Sequence, residues 1–302
     1  PSLRLVLKPC WLPLALLLCS MHAVAQSDAP PDAPAITGRL VLVLPFDNHT
    51  GQSNLSWIGD SFPDTLNQRL TSAGFLTISR DDLKFALDHL GLPVNFRPTR
   101  ATTIRIAQTL DANFVIIGSY TVNNGRIAVQ SQVLNINQLS MTHPLADSSE
   151  LKRLFDVENA IAWKVAQTID PRFNVAEQTC LSAAAGVPLS AFEDYIRGTS
   201  ATTPEERIQR LQSAVQLDPS YDAALLELGK AQFASRDYDA AAATFARIPR
   251  TNRHALEANF YIGLACFNSA RYAQAESAFA FVASRLPLPE VVNNQAVAAS
   301  RQ

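Results

Sequence analysis

Charge is scarce in this chain. Asp, Glu, Lys and Arg make up 17% of its 302 residues and sum to a net charge of -2. No Lys/Arg block occurs, so the electrostatic footprint of a nucleic-acid binder is missing and no nucleic-acid partner is expected. The hydrophobic share of 47% is enough for real cores and excludes a disordered chain. Cysteine is also rare. Of the four present, Cys10 and Cys19 lie in a leader, which leaves Cys180 and Cys266. An exported protein can join such a pair, but one pair is no disulfide framework. Cys266 sits in an apolar helical pattern, where a buried thiol is the simpler reading. His49, His89, His143 and His254 stand far apart in sequence, without a His or Cys partner at metal-ligand spacing. G-x-x-x-x-G-K-[ST], G-x-G-x-x-G and G-x-S-x-G are all absent. No metal, cofactor or catalytic residue is therefore expected.

The amino-terminal segment reads as an address. Arg4 and Lys8 precede the short apolar stretch "WLPLALLLCS", and "AVA" at 23–25 places small residues before Gln26. This is the pattern of a secretory signal spanning 1–25, cut before Gln26. The apolar run is shorter than the roughly 20 residues a spanning helix needs. Any membrane attachment is thus expected only through an uncleaved leader or anchor. Leu18 stands where a small residue normally precedes a lipidated cysteine, so lipidation at Cys19 is not expected. Residues 26–38 are a Pro/Ala/Asp linker.

From 39 to 170 the pattern is β-α-β-α-α-β-β-α, an α/β domain with a mixed sheet, flanking helices and a trailing helix. "RLVLVLPF" (39–46) suits a strand covered on both faces. "SWIGDSFPDTLNQRLTSAG" (56–74) has helical spacing, with Pro63 expected to kink it or to start a second helix. "FLTIS" (75–79) is a strand, and 80–92 and 99–112 are helices. Asn124-Gly125 joins two strand-like runs, which predicts a hairpin. Residues 151–169 place Leu154, Val157, Ile161, Val165 and Ile169 on one helical stripe. The order of these elements and the segment "DANFVIIGSY" resemble the amino-terminal domain of the translocation protein TolB and the related CsgG-type envelope lipoproteins. The resemblance covers roughly 39–140. It implies an envelope location and no catalytic motif.

A linker at 171–188 leads to a repeat region at 189–302. "ELGKAQFASRDYDAAAATFARI" (227–248) aligns with "YIGLACFNSARYAQAESAFAFV" (261–282). Gly229 matches Gly263, Tyr238 matches Tyr272, Ala241 matches Ala275 and Phe245 matches Phe279, each 34 residues on. This resembles the tetratricopeptide repeat, a helix pair of 34 residues, and implies an all-α solenoid. An earlier unit keeps the phase at Ala214 and Pro219, but Asp194-Tyr195 replaces the Leu-Gly pair of its first helix. The segment 289–302 looks like the opening helix of a further unit, so about three units are expected, the last incomplete.

In that family one face of each first helix lines a concave groove. Carried over by position, this face is Phe192 and Ile196, then Leu226, Lys230 and Phe233, then Phe260, Tyr261, Leu264 and Phe267. The set is apolar and aromatic. It lacks the Lys/Asn/Arg group that clamps a peptide carboxylate, so that mode is not expected. Either a partner's peptide or helix lies in the groove, or the chain's own elements fill it, such as helix 151–169 or the carboxy-terminal segment. Tyr238 and Tyr272 read as core.

The expected function is an exported, non-enzymatic interaction or scaffold protein of the bacterial periplasm or envelope, with protein partners. The alternative is a ligand-sensing or regulatory module whose repeats relay the state of the α/β domain. A hydrolase is a third reading. It needs Asp47 and His49 to converge with Thr50 or Ser53.

Overall fold

The computed structural model describes residues 39–93, 98–182 and 186–302. The leader and the linker at 26–38 lie outside them. Residues Gly38–Gln302 form a compact unit.

The first half runs β1 (Leu40–Val43), β2 (Asp47–Asn48), α1 (Trp57–Ser72), β3 (Leu76–Thr77), α2 (Arg80–His89), α3 (Arg100–Thr109), β4 (Phe114–Asn123), β5 (Arg126–Asn135), β6 (Ser140–Met141), β7 (Leu145–Glu150) and α4 (Leu154–Ile169). The described strands form one sheet in the order β3-β1-β4-β5-β6, with β2 on β4 and β7 on β5. The β3, β1, β4 and β2 pairings are parallel and the rest antiparallel. The sheet is mixed, as expected. Strand β1 is interior, and its alternation explains its unbroken apolar run. Val41 and Val43 join a core with Phe62, Leu66, Val157 and Ile161 of α1 and α4. Leu42 and Leu44 join a second core with Leu87 and Ile106 of α2 and α3. Asn124 and Gly125 both take positive φ (50° and 72°), the type I′ geometry that sets the ten-residue register of β4 on β5.

Pro63 neither kinks α1 into two helices nor starts a new one; α1 is continuous with Pro63 inside it. Proline supplies no N–H to the carbonyl four residues back. That carbonyl belongs to Gly59, and it accepts the backbone N–H of Phe46 at 3.0 Å. The missing helical bond is replaced by a tertiary one. Phe46 ends the first apolar run here. Its ring stacks on Phe62 at 4.1 Å with the planes 3° apart, and the chain rejoins the sheet as β2.

The second half is helical: α5 (Glu177–Ser182), α6 (Leu189–Ser200), α7 (Pro204–Leu217), α8 (Asp222–Ala234), α9 (Tyr238–Phe245), α10 (Ala255–Asn268), α11 (Tyr272–Ala283) and α12 (Pro289–Ser300). Helix α5 falls within the expected linker. The pairs α6/α7, α8/α9 and α10/α11 are the repeat units, and α12 packs on α11. Each pair closes over a glycine. A Cβ on Gly229 would lie 2.6 Å from the Phe245 ring, and one on Gly263 would lie 2.5 Å from the Phe279 ring. In the first unit the in-phase partner of Phe245 is Leu211, and it closes on Gly198. Gly198 stands three residues, about one turn, past the in-phase Tyr195. The glycine is therefore not lost from this unit but displaced, and Tyr195 is released for another contact.

The turns inside the second and third pairs hold Arg236 (φ 64°) and Ala270 (φ 56°) in the left-handed region, again 34 residues apart. Both are exposed. A non-glycine residue there costs about 1 kcal/mol. Ala270→Gly is accordingly expected to raise stability by about 0.5–1 kcal/mol, read as a higher urea midpoint at unchanged slope.

Candidate partner-binding groove

The nine residues carried over from the repeat pattern divide in two. Phe192 and Ile196 of α6 are 2% and 0% exposed. Phe192 lies against Phe155 of α4 at 4.5 Å and edge-on to Trp57 of α1 at 6.3 Å. Tyr195 donates its hydroxyl to Asp64 Oδ1 at 3.1 Å. Arg80 donates to Thr199 Oγ1 at 2.9 Å and Ser200 Oγ at 3.0 Å, and Arg197 donates to the Asn54 carbonyl. Further along, the Gln68 side-chain amide faces the Arg253 guanidinium. Helices α1 and α4 thus cover the face of α6. Phe192 and Ile196 are not open to a partner, because the chain's own first half occupies their surface. Leu226 is also buried, at 5%.

The other group stays partly open. Lys230 and Phe233 on α8, and Phe260, Tyr261, Leu264 and Phe267 on α10, are half-buried. Phe260, Leu264 and Phe267 follow i, i+4, i+7 spacing and so share one helical face. Tyr261 is spent between units: it stacks on Phe245 at 5.2 Å and meets Phe233 edge-on at 5.6 Å. Phe260 leans edge-on to Phe279 at 5.9 Å, and Phe267 to Tyr272 at 5.4 Å. Tyr238 likewise meets Phe233 at 5.3 Å, the packing role expected for both repeat tyrosines. Lys230 Nζ lies 3.0 Å from Glu227 and 2.6 Å from Glu257. Burial works against this ammonium, but the two carboxylates outweigh it and raise its pKa. Its charge is therefore already paired, which suits a structural clasp between α8 and α10 beside the aromatic strip.

The loop after β1 is organised by Asn48. Its Oδ1 accepts from the Thr50 amide at 2.8 Å and the Thr50 hydroxyl at 2.7 Å, while its Nδ2 donates to the Gln52 carbonyl. Thr50 is thus engaged as a turn former, and His49 is exposed. The hydrolase reading called for a hydroxyl at His49, and Thr50 presents its own to Asn48 instead. Cys266 is a buried free thiol, and burial raises its pKa. Among the described residues, no group of three or more His, Cys, Asp or Glu is placed to hold a metal ion. No helix among them is long and apolar enough to cross a membrane.

Comparison with solved structures returns weak likenesses. The LpoB C-terminal domain from Escherichia coli is 24% identical, with 37% of this chain and 83% of that chain covered and a TM-score of 0.33. Lipoprotein GNA1162 from Neisseria meningitidis is 14% identical, covering 37% and 80%, with a TM-score of 0.31. TolB from Acinetobacter baumannii is 13% identical, covering 44% of this chain and 29% of that one, with a TM-score of 0.32. Scores this low carry no inference. They lend no support to the expectation against lipidation. No curated protein matches the chain. Residues 204–260, from α7 into α10, match the family model described as tetratricopeptide repeat.

Proposed function

We propose that this protein acts at a bacterial cell envelope by binding other proteins, with the α8–α10 face of the solenoid as the receiving surface. The observation that carries this reading is the contrast along the solenoid. The α6 face is sealed by α1 and α4, whereas Phe260, Leu264 and Phe267 remain half-buried in register on α10. A partner helix or extended segment gains by covering that strip, at about 25 cal/mol per Å² of apolar surface removed from water. The repeat match supports a binding role, and the leader-like sequence supports export. The double substitution Phe260→Ala, Phe267→Ala is expected to abolish capture of partners from envelope extract while leaving the far-ultraviolet dichroism intact. Unchanged capture would sink the groove reading.

A second reading is that the α/β half senses a small ligand and the solenoid relays its state. One hydrophobic core runs from Val41 in the sheet to Ala298 in α12, which favours mechanical continuity between the halves. A ligand of the native state must raise the melting temperature, so a metabolite screen by thermal shift separates this reading from the first.

A further inference from the structure

A buried acid with two half-buried ones near it, none of them used by the groove, lies where α1 and α4 meet the solenoid. Glu158 of α4 is fully buried. Thr65 Oγ1 donates to its Oε2 at 2.8 Å. Ser61 Oγ contacts its Oε1 and also lies 2.8 Å from the Ile58 carbonyl. A serine hydroxyl owns one proton. With that proton given to Ile58, the usual local bond of a helical serine, the proton in the Ser61–Glu158 contact belongs to Glu158. Ser61 can donate to the carboxylate only by leaving Ile58 without it, whereas a neutral Glu158 donates to Ser61, accepts from Thr65 and satisfies every partner. Burial points the same way, pushing the Glu158 carboxyl up to about 7 against the lowering effects of Ser61, Thr65 and Arg69.

The surroundings mix acid with base. From α1 come Asp60, Asp64 and Arg69. Arg80 opens α2, Tyr195 comes from α6, Tyr221 and Glu227 from the start of α8, and Arg253 from the approach to α10. Burial raises Asp60 and Asp64 as well, with Arg80 opposing it at both. Water can solvate a charged Glu158 only by parting α1 from α4, the helix pair on which Phe192 and Tyr195 of α6 rest.

We propose that this seam is a proton-operated latch: Glu158 is held as the neutral acid while α1 and α4 stay docked on α6, and release of its proton to solvent loosens the docking. The closed seam keeps a proton that an exposed glutamate gives up. Closure is therefore favoured as pH falls toward the ordinary carboxylate range, and that advantage is lost as pH rises through about 7.

Hydrogen exchange of the full chain, corrected for intrinsic rates, tests this at about pH 5.5 and about pH 8.5. Amides of α1 and α6 are expected to lose at least about tenfold in protection at the higher pH, relative to those of α11. Glu158→Gln is expected to erase that difference. The proposal falls if wild-type protection is the same at both values, or if Glu158→Gln shows the same loss. A direct readout needs no variant: the side-chain carboxyl carbon resonance of Glu158 should titrate near neutrality, and titration in the ordinary carboxylate range would overturn the latch.

Discussion

Phe245→Ala should cost about 3–5 kcal/mol, the range for an aromatic removed from a packed core. The ring is fully buried, stacks on Tyr261 and closes over Gly229. It therefore holds both its own helix pair and the joint to the next. Gly229→Ala alone should cost about 2 kcal/mol, because the new methyl enters space the ring already fills. The two changes act on one volume from opposite sides. The double variant should then be less damaged than the sum of the singles by about 1–2 kcal/mol. Urea unfolding of the four proteins in the cycle checks this. Strict additivity would mean that Gly229 is not where the ring closes.

Gly59→Ala should be the most damaging single-methyl change in the first half, at about 3 kcal/mol. A Cβ there collides with the Phe46 carbonyl oxygen, which is backbone and cannot swing aside. Relief by separation would break the bond from the Phe46 amide to the Gly59 carbonyl and leave a buried donor unpaired. Gly74→Ala supplies the contrast. Gly74 has φ +88° with open space around it, so its cost is conformational and about 1 kcal/mol. Equal losses at the two sites, measured by denaturant unfolding, would show that the Phe46 contact is not what constrains Gly59.

Much of this architecture was legible in the sequence because it is written locally. The 34-residue phase, the Asn124-Gly125 turn and the doubly covered first strand each follow from short-range pattern. What escaped is tertiary. Strand β7, "LADSSE", carries little apolar signal because its alternate residues stay exposed at the sheet's margin. Gly198 carries no local mark, because the family phase points to position 195, and only the approach of Leu211 shows which glycine is used. Pro63 read as a helix breaker because nothing near it in sequence says that Phe46 will take up the freed carbonyl. The groove residues follow from helical position alone, and position does not say which of them stay open. Which of them are covered depended on contacts such as Tyr195 to Asp64, 131 residues apart. A signal for the buried acid did exist: Glu158 lies on the stripe of Leu154, Ile161 and Val165, an acidic residue at a core position of an apolar helix.

The cover that α1 and α4 place on α6 also bears on how the repeat array holds together. Stacked helical units are stabilised by their neighbours, and an array normally unravels from either end, where a neighbour is missing. Here the first unit leans on a folded sheet domain through a continuous apolar core, so that end has a neighbour of a different kind. The α6 end of the array is therefore not a bare terminus from which fraying can start.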